Sequence, residues 1–163
     1  MTCREKLETY FRDHGISYEV QRHGLAFTAQ KVAASEHVPG RMLAKVVILF
    51  AGDDLSMLVM PAHFRVDLEA AKAALGGREV RLAHESEFAP SFPDCEPGAM
   101  PPFGNLYGIP VFVEEQLARN EEIVFQAGTH TETMSVAYQD FARLVRPSVA
   151  RLGFVPGKTT RAS

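Results

Sequence analysis

Short β-rich runs, turn residues and brief helical spacings follow one another irregularly along this chain, which predicts an α/β fold of the α+β type. The expected architecture is a mixed, mostly antiparallel sheet or distorted barrel with peripheral helices. Three observations carry that expectation. Strand-like segments come in neighbouring pairs rather than in the regular strand-helix-strand alternation of a doubly wound sheet. The segments Leu43–Phe50 and Leu55–Met60 are joined by Ala51-Gly-Asp-Asp54, which is hairpin chemistry. No repeat, low-complexity tract or linker divides the 163 residues, so one domain over 1–154 is expected, with 155–163 as a frayed tail.

Taken in order, Leu7, Tyr10, Phe11 and His14 stand at helical spacing, and Gly15 is a natural C-terminal stop. Ile16 to Val20 reads as extended. Thr28 can cap a second helix running to about His37, where Pro39-Gly40 breaks it. After the hairpin, Asp67 can cap a helix through Leu75, with Leu68, Ala71, Lys72 and Leu75 along one face and Gly76-Gly77 ending it. Glu79 to Ala83 is extended again, and Ser86 to Phe92 reads as a short helix. Ile109–Val113, Glu122–Gln126 and Thr133–Val136 read as strands, and Tyr138, Phe141, Leu144 and Val145 mark a closing helix that Pro147 terminates.

Composition narrows the function classes. A hydrophobic fraction of 46% and a charged fraction of 23% are those of a soluble globular protein, and no run approaches the ~20 apolar residues of a membrane helix. Arg4, Glu5, Lys6 and Glu8 stand where a secretory signal would need an apolar stretch. Two cysteines, Cys3 and Cys95, make no disulfide framework and no zinc site, so a reducing, cytoplasmic compartment is expected. A net charge of −3 argues against wrapping DNA or any long nucleic acid, but leaves room for grasping one nucleotide end. Positive charge gathers in the first third, at Arg4, Lys6, Arg12, Arg22, Lys31, Arg41 and Lys45.

Lys45 is the residue that most needs explaining. It stands inside Leu43-Ala-Lys45-Val-Val-Ile-Leu-Phe50, on the strand face shared by Leu43, Val47 and Leu49, where an unpaired buried ammonium would be costly. Either its stem snorkels the charge into solvent, or the ammonium is a fixed cation in a pocket, able to hold a phosphate or a polarised carbonyl. Two later motifs could meet it. In Gly98-Ala-Met-Pro-Pro-Phe-Gly104, the pair Pro101-Pro102 stiffens a backbone that Gly98 and Gly104 allow to turn, giving either a rigid crossover or a pocket rim that includes Met100 and Phe103. In Ala127-Gly128-Thr129-His130-Thr131 an imidazole and two hydroxyls follow a strand. This is either a turn with local threonine hydrogen bonds or a site where His130 contacts substrate or orients water.

Other chemistries lack their residues. There is no Gly-x-Ser-x-Gly elbow, no phosphate-binding Gly-x4-Gly-Lys loop and no His-Glu-x-x-His. Cys95 lies between Asp94 and Glu96, which disfavour a nucleophilic thiolate, and no metal ligand set or cofactor motif is visible.

The lysine strand, Val59-Met-Pro-Ala62 followed by Arg65-Val-Asp67-Leu68, the Glu96-Pro-Gly-Ala-Met-Pro-Pro-Phe-Gly104 loop and Ala127-Gly-Thr-His130-Thr131 together resemble the YbaK/ProX family of aminoacyl-tRNA deacylases, related to the editing domain of prolyl-tRNA synthetases. The resemblance spans about Thr28 to Val145. It implies a mixed sheet or barrel flanked by helices, and hydrolysis of the ester joining a mischarged, small amino acid to the terminal ribose of tRNA. It also implies that Lys45 grips the phosphate or carbonyl end of the aminoacyl-adenosine, that Gly98 to Gly104 shape the amino-acid pocket, and that His130, with Gly128, Thr129 and Thr131, places the ester or adenosine. The implied partners are the aminoacyl-tRNA acceptor end and an aminoacyl-tRNA synthetase, with no membrane, metal or cofactor. The Gly-Thr-His-Thr loop matches neither the Asn-rich form common in members acting on alanyl-tRNA nor the Gly-rich form of those acting on cysteinyl-tRNA, so the amino acid stays open. The competing readings are a non-catalytic module of the same fold, binding a small nucleotide or amino-acid-like ligand or a protein, and an unrelated hydrolase of another small ester.

Overall fold

The computed structural model describes residues 1–22 and 39–157. The expected helix from Thr28 to about His37 lies outside them, as do Lys31 and positions 158–163 of the expected tail. Helix α1, Cys3–Asp13, begins with a capping box in which Thr2 and Glu5 satisfy each other's backbone N–H, and its stripe of Cys3, Leu7 and Phe11 is buried. Strand β1, Tyr18–Arg22, follows. The predicted hairpin is present as β2, Leu43–Ala51, and β3, Asp54–Pro61, paired antiparallel in register from Ala44↔Pro61 to Ala51↔Asp54. Its two-residue turn places Gly52 at φ +61, where a side chain would be strained.

Beyond the hairpin come β4 (Arg65–Val66), helix α2 (Leu68–Ala74, capped by Asp67), β5 (Val80–Leu82) and helix α3 (Glu85–Phe88). The remaining elements are β6 (Val111–Glu114), β7 (Glu122–Gln126), β8 (Glu132–Ala137), helix α4 (Tyr138–Val145), β9 (Ser148–Ala150) and β10 (Gly153–Phe154). Several expectations shift in detail. The helix predicted over Ser86–Phe92 is one turn of α-helix continued by a 3-10 turn at Ala89–Ser91, because Pro90 cannot supply the next backbone N–H. Leu68, expected on the buried face of α2, is 40% exposed, and Ala71 and Leu75 do the packing. Strands β4, β9 and β10 are too short to show periodicity and were not legible in the sequence.

The main sheet has eight strands in the order β1-β8-β7-β2-β3-β6-β9, with β5 added to β2. Four of its pairings are antiparallel and three, β2 with β7, β3 with β6 and β6 with β9, are parallel. It is mixed and mostly antiparallel as expected, and it is open rather than closed into a barrel. The central hairpin is buried on both faces, which explains its near-continuous apolar run. Ala44 and Ile48 of β2 and Met57 and Val59 of β3 join the larger core with Phe11, Phe92, Phe103, Phe125 and Phe141. Leu49, Ala51, Leu58 and Met60 face the other way, into a smaller core closed by Phe64, Ala71, Leu75 and Leu152.

Candidate functional site

The parity of β2 decides where Lys45 points. It shares a face with Val47, Leu49 and Ala51, the side of the smaller core. Its Nζ donates to the Phe64 carbonyl, so the ammonium is tied to the segment that leaves β3. Burial lowers its pKa from the ordinary lysine value, and the neighbouring Arg65 cation lowers it further. The side chain is half-buried, neither freely snorkelled nor sealed. Beside its anchor, Pro61, His63, Phe64, Arg41, Arg119 and Arg151 line an open groove of about 590 Å³. Glu114, which also lines it, has its carboxylate engaged by the backbone N–H groups of Gln116 at 2.7 Å and Leu152 at 3.1 Å.

The two downstream motifs do meet each other. Glu96 N–H donates to the Gly128 carbonyl at 2.7 Å, and Gly128 N–H donates to the Ala99 carbonyl at 2.9 Å, so the loops are laced backbone to backbone. The Glu96 carboxylate accepts the His130 N–H at 2.9 Å, and His130 Nε2 lies 2.8 Å from the Pro97 carbonyl. A carbonyl can only accept. Nε2 therefore carries the hydrogen, and in the neutral ring the lone pair is on Nδ1, where a hydrogen bond is accepted rather than donated. Gly98 sits over the ring: a Cβ there would come 3.5 Å from His130 Cε1, and its φ of +83 already disfavours a side chain. Thr129 Oγ1 lies 3.3 Å from Thr131 Oγ1 and accepts the Thr131 N–H at 3.4 Å, the local threonine turn anticipated beside the functional reading.

The Gly98–Gly104 segment divides in two. Its first half meets His130, with Met100 nearly buried and its Sδ 3.3 Å from the Gly98 N–H. In its second half Pro101 and Pro102 are buried, and Phe103 is sealed in the larger core with ring centroids 5.4 Å from Phe11, 5.3 Å from Phe125 and 5.4 Å from Phe141. Gly104 is required by packing, since a Cβ there would come 2.6 Å from the Ile109 carbonyl oxygen. The structure thus brings His130, Gly128 and Gly98 together, whereas Met100 and Phe103 both belong to the larger core. Lys45 instead packs with the 61–65 segment on the other side of the hairpin's parity. Glu96 and the Pro97 carbonyl, which orient the imidazole, were not singled out as site groups in the sequence. The Glu-Pro-Gly spacing hints at a turn but not at what it turns toward.

Residues 23–144 match the family of aminoacyl-tRNA editing domains. The chain belongs to that family. The match takes in Lys45, both loops and most of the sheet, and it bears out the resemblance drawn from the motifs. Among solved structures, hypothetical protein APE2540 superposes with a TM-score of 0.82 at 19% identity, over 91% of this chain and 99% of that one. A proposed trans-editing enzyme for prolyl tRNA synthetase gives 0.79 at 18% identity, over 94% and 98%. The same fold recurs inside a longer chain, a proposed signal transduction protein from Marinobacter aquaeolei VT8, with a TM-score of 0.63 at 18% identity over 82% of this chain and 27% of that one. No curated protein matches the sequence. Membership of the editing-domain family associates the protein with aminoacyl-tRNA editing. Among the described residues, no helix is long and apolar enough to cross a membrane, and no group of three or more His, Cys, Asp or Glu side chains could hold a metal ion.

Proposed function

We propose that this protein is a trans-acting editing deacylase, which hydrolyses the ester between a small, mischarged amino acid and the terminal ribose of tRNA in the cytoplasm, alone or beside an aminoacyl-tRNA synthetase. The observation that carries this reading is the lacing of the His130 loop to the Glu96–Met100 loop, within the region that matches the editing family. An aminoacyl ester is already activated, so the site needs no protein nucleophile. Water adds to the ester carbonyl, the ribose oxygen leaves with a proton, and holding ester and water in line supplies most of the acceleration. Lys45, on the opposite side of the hairpin, supplies positive charge for a phosphate of the acceptor end, and the His130 loop helps to place the ester or the adenosine. Met100 limits side-chain volume. The arginines beside the Lys45 anchor suit the backbone phosphates of the acceptor end.

The second reading, a non-catalytic module of the same fold, is favoured by one contact: the Lys45 ammonium is already engaged by the Phe64 carbonyl. A panel of tRNAs charged with alanine, serine, cysteine, proline and threonine separates the two. Turnover of at least one small aminoacyl-tRNA above the spontaneous rate supports editing. Binding without any accelerated hydrolysis supports the module.

A further inference from the structure

The chain has two cysteines, distant in sequence, and the fold brings them to one hydroxyl. Cys3 opens α1 and Cys95 sits in the loop before Glu96; both are free thiols. Cys3 Sγ lies 3.7 Å and Cys95 Sγ 3.5 Å from the Tyr107 hydroxyl, so both thiols converge on one oxygen. The Tyr107 hydroxyl donates to Asp94 Oδ1 at 3.0 Å, and Cys95 Sγ is 3.6 Å from the same oxygen. Lys6 Nζ lies 4.0 Å from the Tyr107 ring centroid and 3.7 Å from Asp94 Oδ2. The neighbouring Cys95 thiol lowers the Cys3 pKa from its ordinary value, and the Cys3 thiol together with burial raises that of Cys95.

The cluster adjoins the candidate site. Gly128, at φ +94, lets its backbone press on Cys3: a Cβ at Gly128 would come 2.8 Å from Cys3 Sγ and closer still to its Cβ. Cys95 immediately precedes Glu96, which holds both the Gly128 carbonyl and the His130 N–H.

We propose that Cys3 and Cys95 form a reversible dithiol–disulfide pair whose oxidation repositions the loop carrying Gly128 and His130. The oxidant is a low-molecular-mass disulfide. A protein thiolate attacks one of its sulfurs and expels one small thiol, leaving a mixed disulfide. The second cysteine then loses its proton and attacks the protein sulfur of that bond, expelling the other small thiol. Two S–H bonds are lost, one S–S bond forms within the protein, and the oxidant is reduced to two thiols. Cys95 is part-exposed, and Cys3, though only 2% exposed, lies in the first turn of α1, where helix ends open most readily. Forming an S–S bond of about 2.05 Å in place of the two separate contacts with the Tyr107 hydroxyl draws together the two segments that flank the laced loops. Formation of the disulfide is independent of any activity. Its consequence for catalysis rests on the editing reading above.

The test equilibrates the full chain in glutathione buffers from fully reduced to fully oxidised, then alkylates it and measures intact and peptide masses. The expected result in oxidising buffer is a monomer lighter by two hydrogens, resistant to alkylation, with Cys3 and Cys95 peptides linked and released by dithiothreitol. Cys3→Ser and Cys95→Ser should each abolish the linked product. Two alkyl adducts at every poise, or only mixed and intermolecular disulfides, would overturn the pair. Amide resonances of Gly128 and His130 should shift on oxidation of the wild type and stay put in Cys95→Ser under the same buffers; unmoved resonances in an oxidised wild type overturn the coupling, whether or not any charged tRNA is hydrolysed. Where hydrolysis is measured, its rate should follow the redox poise in the wild type and ignore it in Cys95→Ser.

Discussion

His130 and Lys45 are held by opposite means. His130 is gripped by Glu96 and Pro97, from a stretch far earlier in the chain, and its loop rests through Gly128 on Cys3 at the N-terminus. Lys45 is held by a single strand whose alternation aims it at the smaller core, with the Phe64 carbonyl as its anchor. The loop site is therefore a product of long-range packing, sensitive to volume at its contacts, whereas the lysine is a product of strand parity, sensitive to its charge. Substitutions should fail differently in the two places.

The largest effect is expected at Lys45. Lys45→Ala should reduce deacylation by about 1,000-fold or more, on the order of 4 kcal/mol of transition-state stabilisation, while the melting temperature moves by only a few degrees. Steady-state kinetics and a thermal melt on the same preparation check both halves, and unaltered turnover would remove Lys45 from the site. Next comes Gly128→Ala, which forces a side chain into φ +94 and onto Cys3. A loss of about 2–4 kcal/mol in urea unfolding is expected, as for strain combined with overpacking. A harmless Gly128→Ala would mean the loop is not braced by α1, and the comparison with Lys45 would dissolve.

His130→Ala should cost about 10–100-fold in kcat/KM, the range of one transition-state hydrogen bond, with Glu96→Gln milder because the histidine N–H can still be accepted by an amide oxygen. An effect as complete as that of Lys45→Ala would promote His130 from positioning to acid-base chemistry. Met100→Ala should then shift selectivity toward larger amino acids by roughly tenfold or less, as expected for a few methylenes of pocket volume. If the unmodified protein hydrolyses phenylalanyl-tRNA as fast as alanyl-tRNA, Met100 is no size filter.

The subtlest expectation concerns protonation. Burial and Arg65 depress the folded-state pKa of Lys45 below its unfolded value, so the folded protein binds fewer protons than the unfolded one between those two values. Stability should rise with pH across that window as the disfavoured charge is lost, and the full penalty applies below it. Titration of the lysine side-chain carbons by NMR should show Lys45 deprotonating before the other lysines, and Lys45→Met should flatten the alkaline slope of stability. A Lys45 resonance that titrates with the rest would mean its ammonium is solvated like a surface lysine.

Much of this was written locally in the chain. The Gly15 stop, the cap at Asp67, the turn at Gly52 and the alternation through Leu43–Phe50 each depend on neighbours within a few residues, so these helix ends, the hairpin and the strand carrying Lys45 were legible from spacing alone, and the motifs sufficed to identify the family. Tertiary structure decided the rest. The parallel pairings of β2 with β7 and β3 with β6, the open sheet, the burial of Phe103 rather than its exposure at a pocket wall, and the meeting of Cys3 with Cys95 all join residues distant in sequence. Residue spacing reports a period of 2 or 3.6 and the chemistry of a turn. It carries no record of which two faces, once formed, bury the most apolar surface against each other, and that sum over the whole fold brought His130 to Glu96 and aimed Lys45 at Phe64.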